Sequence, residues 1–559
     1  MPHFNDGKDS KQFAEMREKE AEALAQILAE RYDLPYVDLS RVIDDNNAIR
    51  LIPEATSRDA KVVIFGLNQH RVDMAVQTPN NPKIPNVVAE IERQGFTAAL
   101  HIASEFSIER AWETYNEVSY AKAETRGVMS VSDETMQKYV STIKTVADVK
   151  AVVEGAISSG DIHSLSTVVE IILGGAVATG VSDVHIEPEK ELVKVRYRLD
   201  GILQDVVEIT PVNYKKVLAR IKLLAGVKLN LVHEAQDGRF TIKISGIDVE
   251  VRTSILPAAY AESVVMRILN PKSISVPLEE LGMDEYFYQI MVDQINKPNG
   301  LILTTGPTGS GKTTTLYACL KKLRSPQVKI ITIEDPIEYH LDGISQTQIN
   351  HDKGYDFSHG LRAAVRQDPD VIMVGEIRDE ETASVAIDSA LTGHLVFSTL
   401  HTNNAAGAIP RLIDIGVNPK IISSALNIAI GQRLVRRLCK FCKEEYVPEG
   451  KEAEAFAREL PEILKFRPKL VAPEKLWRPV GCEKCSFTGF KGRVSIYEGI
   501  LMDRAIEAIL RENPSEREIK EAAKPQGILD MRQDGFVKCI SGMTAISEID
   551  RAVGLEEGR

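Results

Sequence analysis

Apolar and polar positions alternate differently in successive parts of the chain, and each change of period marks a change of structure. Near the N-terminus Ala21, Leu24, Ile27 and Leu28 recur at helical spacing between charges. This predicts an amphipathic helix over 14–32, stopped by Pro35. Two short apolar runs, Val62–Leu67 and Val72–Gln77, flank Asn68–Arg71 and predict a strand pair, so a small α/β domain fills 1–118. Residues 119–160 are polar and poor in aromatics, and read as a linker with one helix near 134–156. A second, mixed α/β domain follows over 161–275. Its helix, Ser166–Ala178, ends at Gly180, and its strands are Val193–Leu199, Phe240–Ile244, Asp248–Thr253 and Ser263–Leu269. In the first of these strands Val193, Val195, Tyr197 and Leu199 face one side and Lys194, Arg196 and Arg198 the other, giving a basic sheet face.

From about residue 298 short buried-strand runs alternate with helical stretches: Leu301–Thr305, Lys329–Glu334, Val371–Val374 and Leu395–Thr399. That rhythm predicts an α/β core over 276–434 with a doubly wound, mainly parallel sheet. A cysteine-bearing module over 435–500 and a helical segment over 501–559 complete the chain.

The turn after the first core strand reads Gly306-Pro307-Thr308-Gly309-Ser310-Gly311-Lys312-Thr313, a complete phosphate-binding loop, with Thr314 continuing into the helix. Such a turn points successive backbone N–H groups into one hollow, and the helix N-terminus adds partial positive charge there. Lys312 is placed to reach the β- and γ-phosphates of ATP, and the Thr313 hydroxyl suits Mg²⁺. Three later stretches fall at the carboxyl ends of core strands, where doubly wound sheets bind their ligands. In Ile331–Glu338 the carboxylates Glu334, Asp335 and Glu338 surround a proline turn and are candidates for polarising an attacking water. In Val371–Asp379 a buried run leads to Glu376, a Walker B carboxylate that would hold Mg²⁺ opposite Thr313. In Thr392–Thr402 His394 and His401 bracket a strand, and His401 is the candidate γ-phosphate sensor. Placement, a metal and charge neutralisation are what phosphoryl transfer needs, so the set predicts hydrolysis rather than binding alone.

With 559 residues the chain exceeds one core and has room for about three or four domains. Its net charge of −12 argues against non-specific nucleic-acid binding by the whole molecule. No stretch has the roughly 18 uncharged apolar residues of a membrane span. The nearest, Leu165–Val181, is interrupted by Glu170. The first residues lack an apolar signal region, which predicts a cytoplasmic protein that touches a membrane only through partners. Four of the six cysteines form two CxxC pairs: Cys439 with Cys442, and Cys482 with Cys485. This spacing predicts a closed, structural tetrahedral Zn²⁺ site. Cys319 and Cys539 read as buried.

The phosphate loop, ITIEDPIE, GEIRD and TGHLVFSTLHT, in this order, resemble the secretion ATPases of type II secretion and type IV pilus assembly. SDVHIEP, RYRLDG, QDGR and VVMRIL are similar to that family's second N-terminal domain. QRLVRRLC, the CxxC pairs and GFKGRVSIYE resemble its zinc-bearing branch. The resemblance covers about 160–555. It implies a RecA-like ATPase core, a PAS-like second domain, and an N-terminal domain that docks on a membrane-anchored partner. It further implies Glu338 as the catalytic carboxylate, Glu376 as the Walker B residue, and His401 in the histidine box. Arg252 and Arg267 would be the arginines that reach a neighbouring subunit's nucleotide in a homohexamer working on an inner-membrane platform protein. Ser263 stands where relatives often carry another arginine, and the arginine-leucine-glycine start of cyclic di-GMP binders is absent, so that ligand is not carried over. A competing reading is a nucleic-acid translocase using Arg433, Arg436, Arg437, Lys440 and Lys443 beside the zinc knuckle. The overall acidity and the lack of aromatics among those bases weigh against it. A nucleotide-sensing scaffold without turnover is opposed by the intact Glu338 and Glu376.

Overall fold

The computed structural model describes residues 20–555 except 40–47, 49–50, 53, 69–70, 94–95, 119–127, 130–132, 159–163, 245, 272–275 and 512. It divides into two compact units, Met1–Thr125 and Arg126–Arg559.

In the smaller unit, Val62–Asn68 and Arg71–Val76 pair antiparallel, and Thr97–Ile102 adds parallel to the second. The helix Ile84–Arg93 makes the crossover that a parallel pair requires. Residues 20–32 are helical as expected, while 14–19 lie outside the described residues. The buried face of this helix differs from the expected one. Ala25 and Ala29 are buried in the core, whereas Leu24 and Ile27 are 58% and 61% exposed. Small side chains let the helix lie close to the sheet, and the larger ones are left at its flanks.

The larger unit begins with a departure from the linker reading of 119–160. Asp133–Thr142 and Val146–Ser158 are helices, and Met136, Ile143, Val149 and Val153 are buried in the same core as the helix Ser164–Thr179. A Cβ on Gly175 would come within 2.6 Å of Val149, so a glycine is needed where these helices approach. They cover a seven-stranded sheet in the order Val128–Met129, Gln236–Ile244, Ile247–Pro257, Glu262–Leu269, Asp183–Pro188, Val193–Leu199, Ile202–Ile209. Val193, Val195 and Tyr197 face inward as the alternation requires. The expected basic face is neutralised by acidic neighbours: Lys194 pairs with Glu189, Arg196 with Glu187, and Arg198 with Asp183.

The nucleotide-domain sheet also has seven strands, in the order Ser345–Gln348, Ile330–Glu334, Val371–Val374, Leu395–Leu400, Gly300–Thr305, Leu426–Leu438, Phe490–Leu501. All neighbours are parallel except the last pair. The four central strands that the sequence marks are near-continuous apolar runs because helices cover both faces. Leu426–Leu438 crosses the expected boundary at 434/435 and Phe490–Leu501 lies beyond it, yet both belong to this sheet, and the cysteine knuckles sit at their ends. The module outside the sheet is a ribbon of Glu444–Tyr446 with Leu476–Arg478 and a helix, Gly450–Phe466. Four helices between Arg504 and Val553 close the chain, in agreement with the helical reading.

Candidate active site and metal centre

Strand Gly300–Thr305 is buried at every residue and delivers the chain to Gly306 at the sheet's carboxyl edge. Gly306, Gly309 and Gly311 have φ of 149°, 77° and 91°, the region that side chains avoid, so the loop needs its glycines. Helix Lys312–Leu323 starts at Gly311 without a side-chain cap, which leaves its first N–H groups to bind an anion. Lys312 is folded onto the loop, its Nζ 2.7 Å from the Gly306 carbonyl and 3.2 Å from that of Pro307. Burial lowers its pKa, and Glu376 works in the opposite direction. The hydroxyls of Thr304 and Ser310 are buried beside the loop without a hydrogen-bond partner. Pro307, Thr308 and Gly309 form the exposed rim, and Thr313 and Thr314 are half-buried on the helix's first turn.

Glu376 stands just past strand Val371–Val374 and is largely buried. It pairs with Arg378, and His401 Nε2 lies 3.1 Å from its carboxylate. The two strand ends are tied together by Ile377 N–H to the Thr399 carbonyl at 3.0 Å and by Thr399 Oγ1 to the Gly375 carbonyl at 2.8 Å. The structure therefore brings Glu376 and His401 together. His394, at the other end of its strand, lies with Nδ1 2.9 Å from the Ser389 carbonyl, a structural contact.

The acidic turn divides into three environments. Glu334 is buried and accepts from Tyr317, Thr332 and, at 3.1 Å, the Gln346 amide. Burial raises its pKa, which those neutral donors only partly offset. Asp335 faces His351 at 3.5 Å. Glu338 is a half-open carboxylate that meets Arg252: Nη1 is 3.2 Å from Glu338 Oε2 and Nη2 is 2.7 Å from the Ile337 carbonyl.

Arg252 here reaches the acidic turn of its own chain. Its place in the sheet explains the reach. Arg239, Arg252 and Arg267 lie directly opposite one another on adjacent strands, followed by Asp183 and Arg198. Like charges facing each other across strands are unfavourable unless an anion covers them. Asp183 relieves one end, 3.0 Å from the still-exposed Arg267, and Glu250 and Glu338 relieve the middle. Arg239 was legible as part of QDGR, but only the register puts it beside Arg252.

The four cysteine sulfurs Cys439, Cys442, Cys482 and Cys485 lie within 4.8 Å of one another. Separations of 3.9, 3.8 and 3.8 Å match the edge of about 3.8 Å that a tetrahedron of 2.3 Å Zn–S bonds demands. N–H groups of Gly481, Cys482 and Gly489 point at Cys442 and Cys485, a set suited to thiolates. The donor set fits Zn²⁺, with no position open for substrate. Three of the five bases beside it are engaged within the chain: Arg436 pairs with Glu548 at 2.7 Å and stacks on Phe490. Lys443 donates to the Gly542 carbonyl at 2.7 Å over the Trp477 ring, and Arg433 meets Asn403 at 3.3 Å.

A glycine-rich loop with its buried lysine, and Glu376 at the carboxyl edge of a doubly wound sheet, define a P-loop ATPase with a RecA-like core. Residues 158–551 match the family described as type II/IV secretion system protein, and 32–120 match the MshEN domain. The type II secretion system protein E of Pseudomonas aeruginosa is 42% identical over 73% of this chain and 79% of its own length. The type IV pilus assembly ATPase PilB of the same organism is 35% identical over 95% of this chain and 90% of its own. PilB of Thermus thermophilus is 37% identical over 94% of this chain, which spans 57% of that longer protein. In fold, the X-ray structure of the Legionella pneumophila ATPase DotB is similar with a TM-score of 0.50 at 21% identity, over 69% of this chain and 94% of that one. The chain belongs to the type II/IV secretion system protein family.

Proposed function

We propose that the chain is the motor subunit of a cytoplasmic, ring-shaped homohexamer that hydrolyses ATP to drive assembly of pilin or pseudopilin subunits. In this reading the N-terminal unit docks on a membrane-anchored protein and the ring acts on an inner-membrane platform protein. The two PilB relatives match over more than nine-tenths of this chain, the N-terminal unit included, which favours pilin as the polymerised subunit.

The loop N–H groups and Lys312 hold the β- and γ-phosphates. Thr313 and Glu376 would hold Mg²⁺, which when bound neutralises charge on the transferred phosphoryl group. Glu338 orients the attacking water, and His401, through Glu376, registers the γ-phosphate. Arg252 exchanges Glu338 for phosphate oxygens as ATP arrives, and Arg267 turns toward a neighbouring copy.

The observation that carries the reading is the Arg252–Glu338 contact, because it joins the second domain to the nucleotide pocket. Its exchange for phosphate contacts converts a chemical event into a displacement of that domain. Glu338→Gln should retain ATP binding and lose at least about 100-fold in turnover. Arg252→Ala should lose turnover while ADP affinity stays within a few-fold, because ADP lacks the γ-phosphate. Unimpaired hydrolysis in either variant sinks the proposal.

A further inference from the structure

The concave back of the phosphate loop is filled by one residue outside the motifs assigned so far. Gln432 lies on strand Leu426–Leu438, one position past the last residue paired with the loop strand, so it stands directly behind the loop. It is 1% exposed. A Cβ on Gly306 would come within 2.5 Å of its carbonyl oxygen, and one on Gly311 within 2.7 Å of its Nε2. The two loop glycines are therefore shaped against this residue as well as toward a ligand.

Both ends of its side-chain amide are hydrogen-bonded. Oε1 accepts from Thr315 Oγ1 at 2.9 Å, on the first turn of the phosphate-loop helix, and Nε2 donates to Ser495 Oγ at 3.0 Å. The Tyr497 hydroxyl is 3.2 Å from Thr315 Oγ1, and the Tyr497 N–H donates to Asp534 at 2.7 Å. Asp534 is paired with Lys538 on the C-terminal helix Met531–Ile540. The Gln432 amide thus ties the nucleotide helix to strand Phe490–Leu501, and Tyr497 of that strand meets both Thr315 and the C-terminal helix. In so dry a place, losing one partner leaves the others unsatisfied.

We propose that Gln432 is a positioning residue for nucleotide binding. It fixes the angle between the phosphate loop and its helix by holding Thr315, so that the N–H groups converge on the β-phosphate. It acts through the loop and touches no reacting atom.

The test is MgADP affinity of the purified full-length protein, with thermal midpoint and bound zinc measured alongside. Gln432→Ala and Thr315→Val should each weaken MgADP binding roughly tenfold, about the worth of one buried hydrogen bond. The double variant should be no weaker than the poorer single one, because both remove the same link. Gln432→Glu keeps the shape but removes the donor to Ser495 and sets a negative charge behind the loop, so it should lose MgADP affinity even if Gln432→Ala fails to fold. Unchanged MgADP affinity in the folded variants overturns the proposal. So do fully additive losses in the double variant, and so does a lowered thermal midpoint with affinity intact.

Discussion

Glu334 and Glu548 are both buried carboxylates, yet their acidities move in opposite directions. Burial raises the pKa of each. Glu334 meets only hydroxyl and amide donors, and stays high. Glu548 is gripped by Arg551 and Arg436 and by the Arg436 N–H at 2.9 Å, which overcome burial and hold it at about 2 against an ordinary 4.5. A depressed pKa stabilises the fold above the ordinary value. That contribution should be fully present above pH 4.5 and drain away as pH falls toward 2. Glu548→Gln should cost roughly 3 kcal/mol near neutrality, since it removes the buried carboxylate that pairs the partly buried Arg436. Denaturant unfolding at neutral pH and at moderately acid pH checks both statements: the gap between wild type and variant must narrow in acid. A gap that is independent of pH would place the stabilisation elsewhere.

Elements carried by a clear period were legible, and those carried by partners were not. The phosphate-loop strand and three further parallel strands of its sheet could be drawn to within a residue or two because burial on both faces leaves long apolar runs. Asp183–Pro188 was missed because only Val184 and Ile186 point inward, too short an alternation to register. Pro211–Ala225 was missed although Thr210 caps it and proline opens it, since its lysines mask the apolar stripe. Phe490–Leu501 was assigned to the zinc module because it closely follows Cys482 and Cys485, while its pairing with Leu426–Leu438 depends on register across about sixty residues. Of the candidate site, the loop, Glu376 and the four cysteines were visible as local motifs. Arg252 against Glu338, and Gln432 behind the loop, are non-local meetings that no spacing announces. The shared strand has a consequence for the metal. Cys439 directly follows Leu438, so a loosened knuckle frees one end of a sheet strand. Cys482→Ser should reduce bound zinc from one equivalent toward none and speed proteolysis within 440–490. Unchanged zinc content would refute the ligand assignment.

At the scale of the molecule the question is what a lone chain lacks. Its second domain presents Arg239, Arg252 and Arg267 in one row, but only Arg252 reaches the acidic turn of its own pocket. Arg267 remains 58% exposed and is tethered to Asp183. The same domain leaves Leu256 and Tyr260 54% and 62% exposed at the end of the hairpin that carries two of these arginines. Apolar side chains beside a cationic row are what a neighbouring copy would cover if it offered its triphosphate there. An arginine supplied across such a joint contributes on the order of 10³–10⁵ in rate where it has been dissected. ATP turnover per subunit should therefore rise with protein concentration, in step with assembly followed by sedimentation. Arg267→Ala should flatten that rise without altering sedimentation, because the guanidinium acts on charge rather than on assembly. Tyr260→Asp should instead suppress assembly and turnover together. A subunit that sediments as a monomer at every concentration, with constant turnover, would show that the pocket is complete within one chain. The exposed Arg267 would then have to be explained by something other than catalysis.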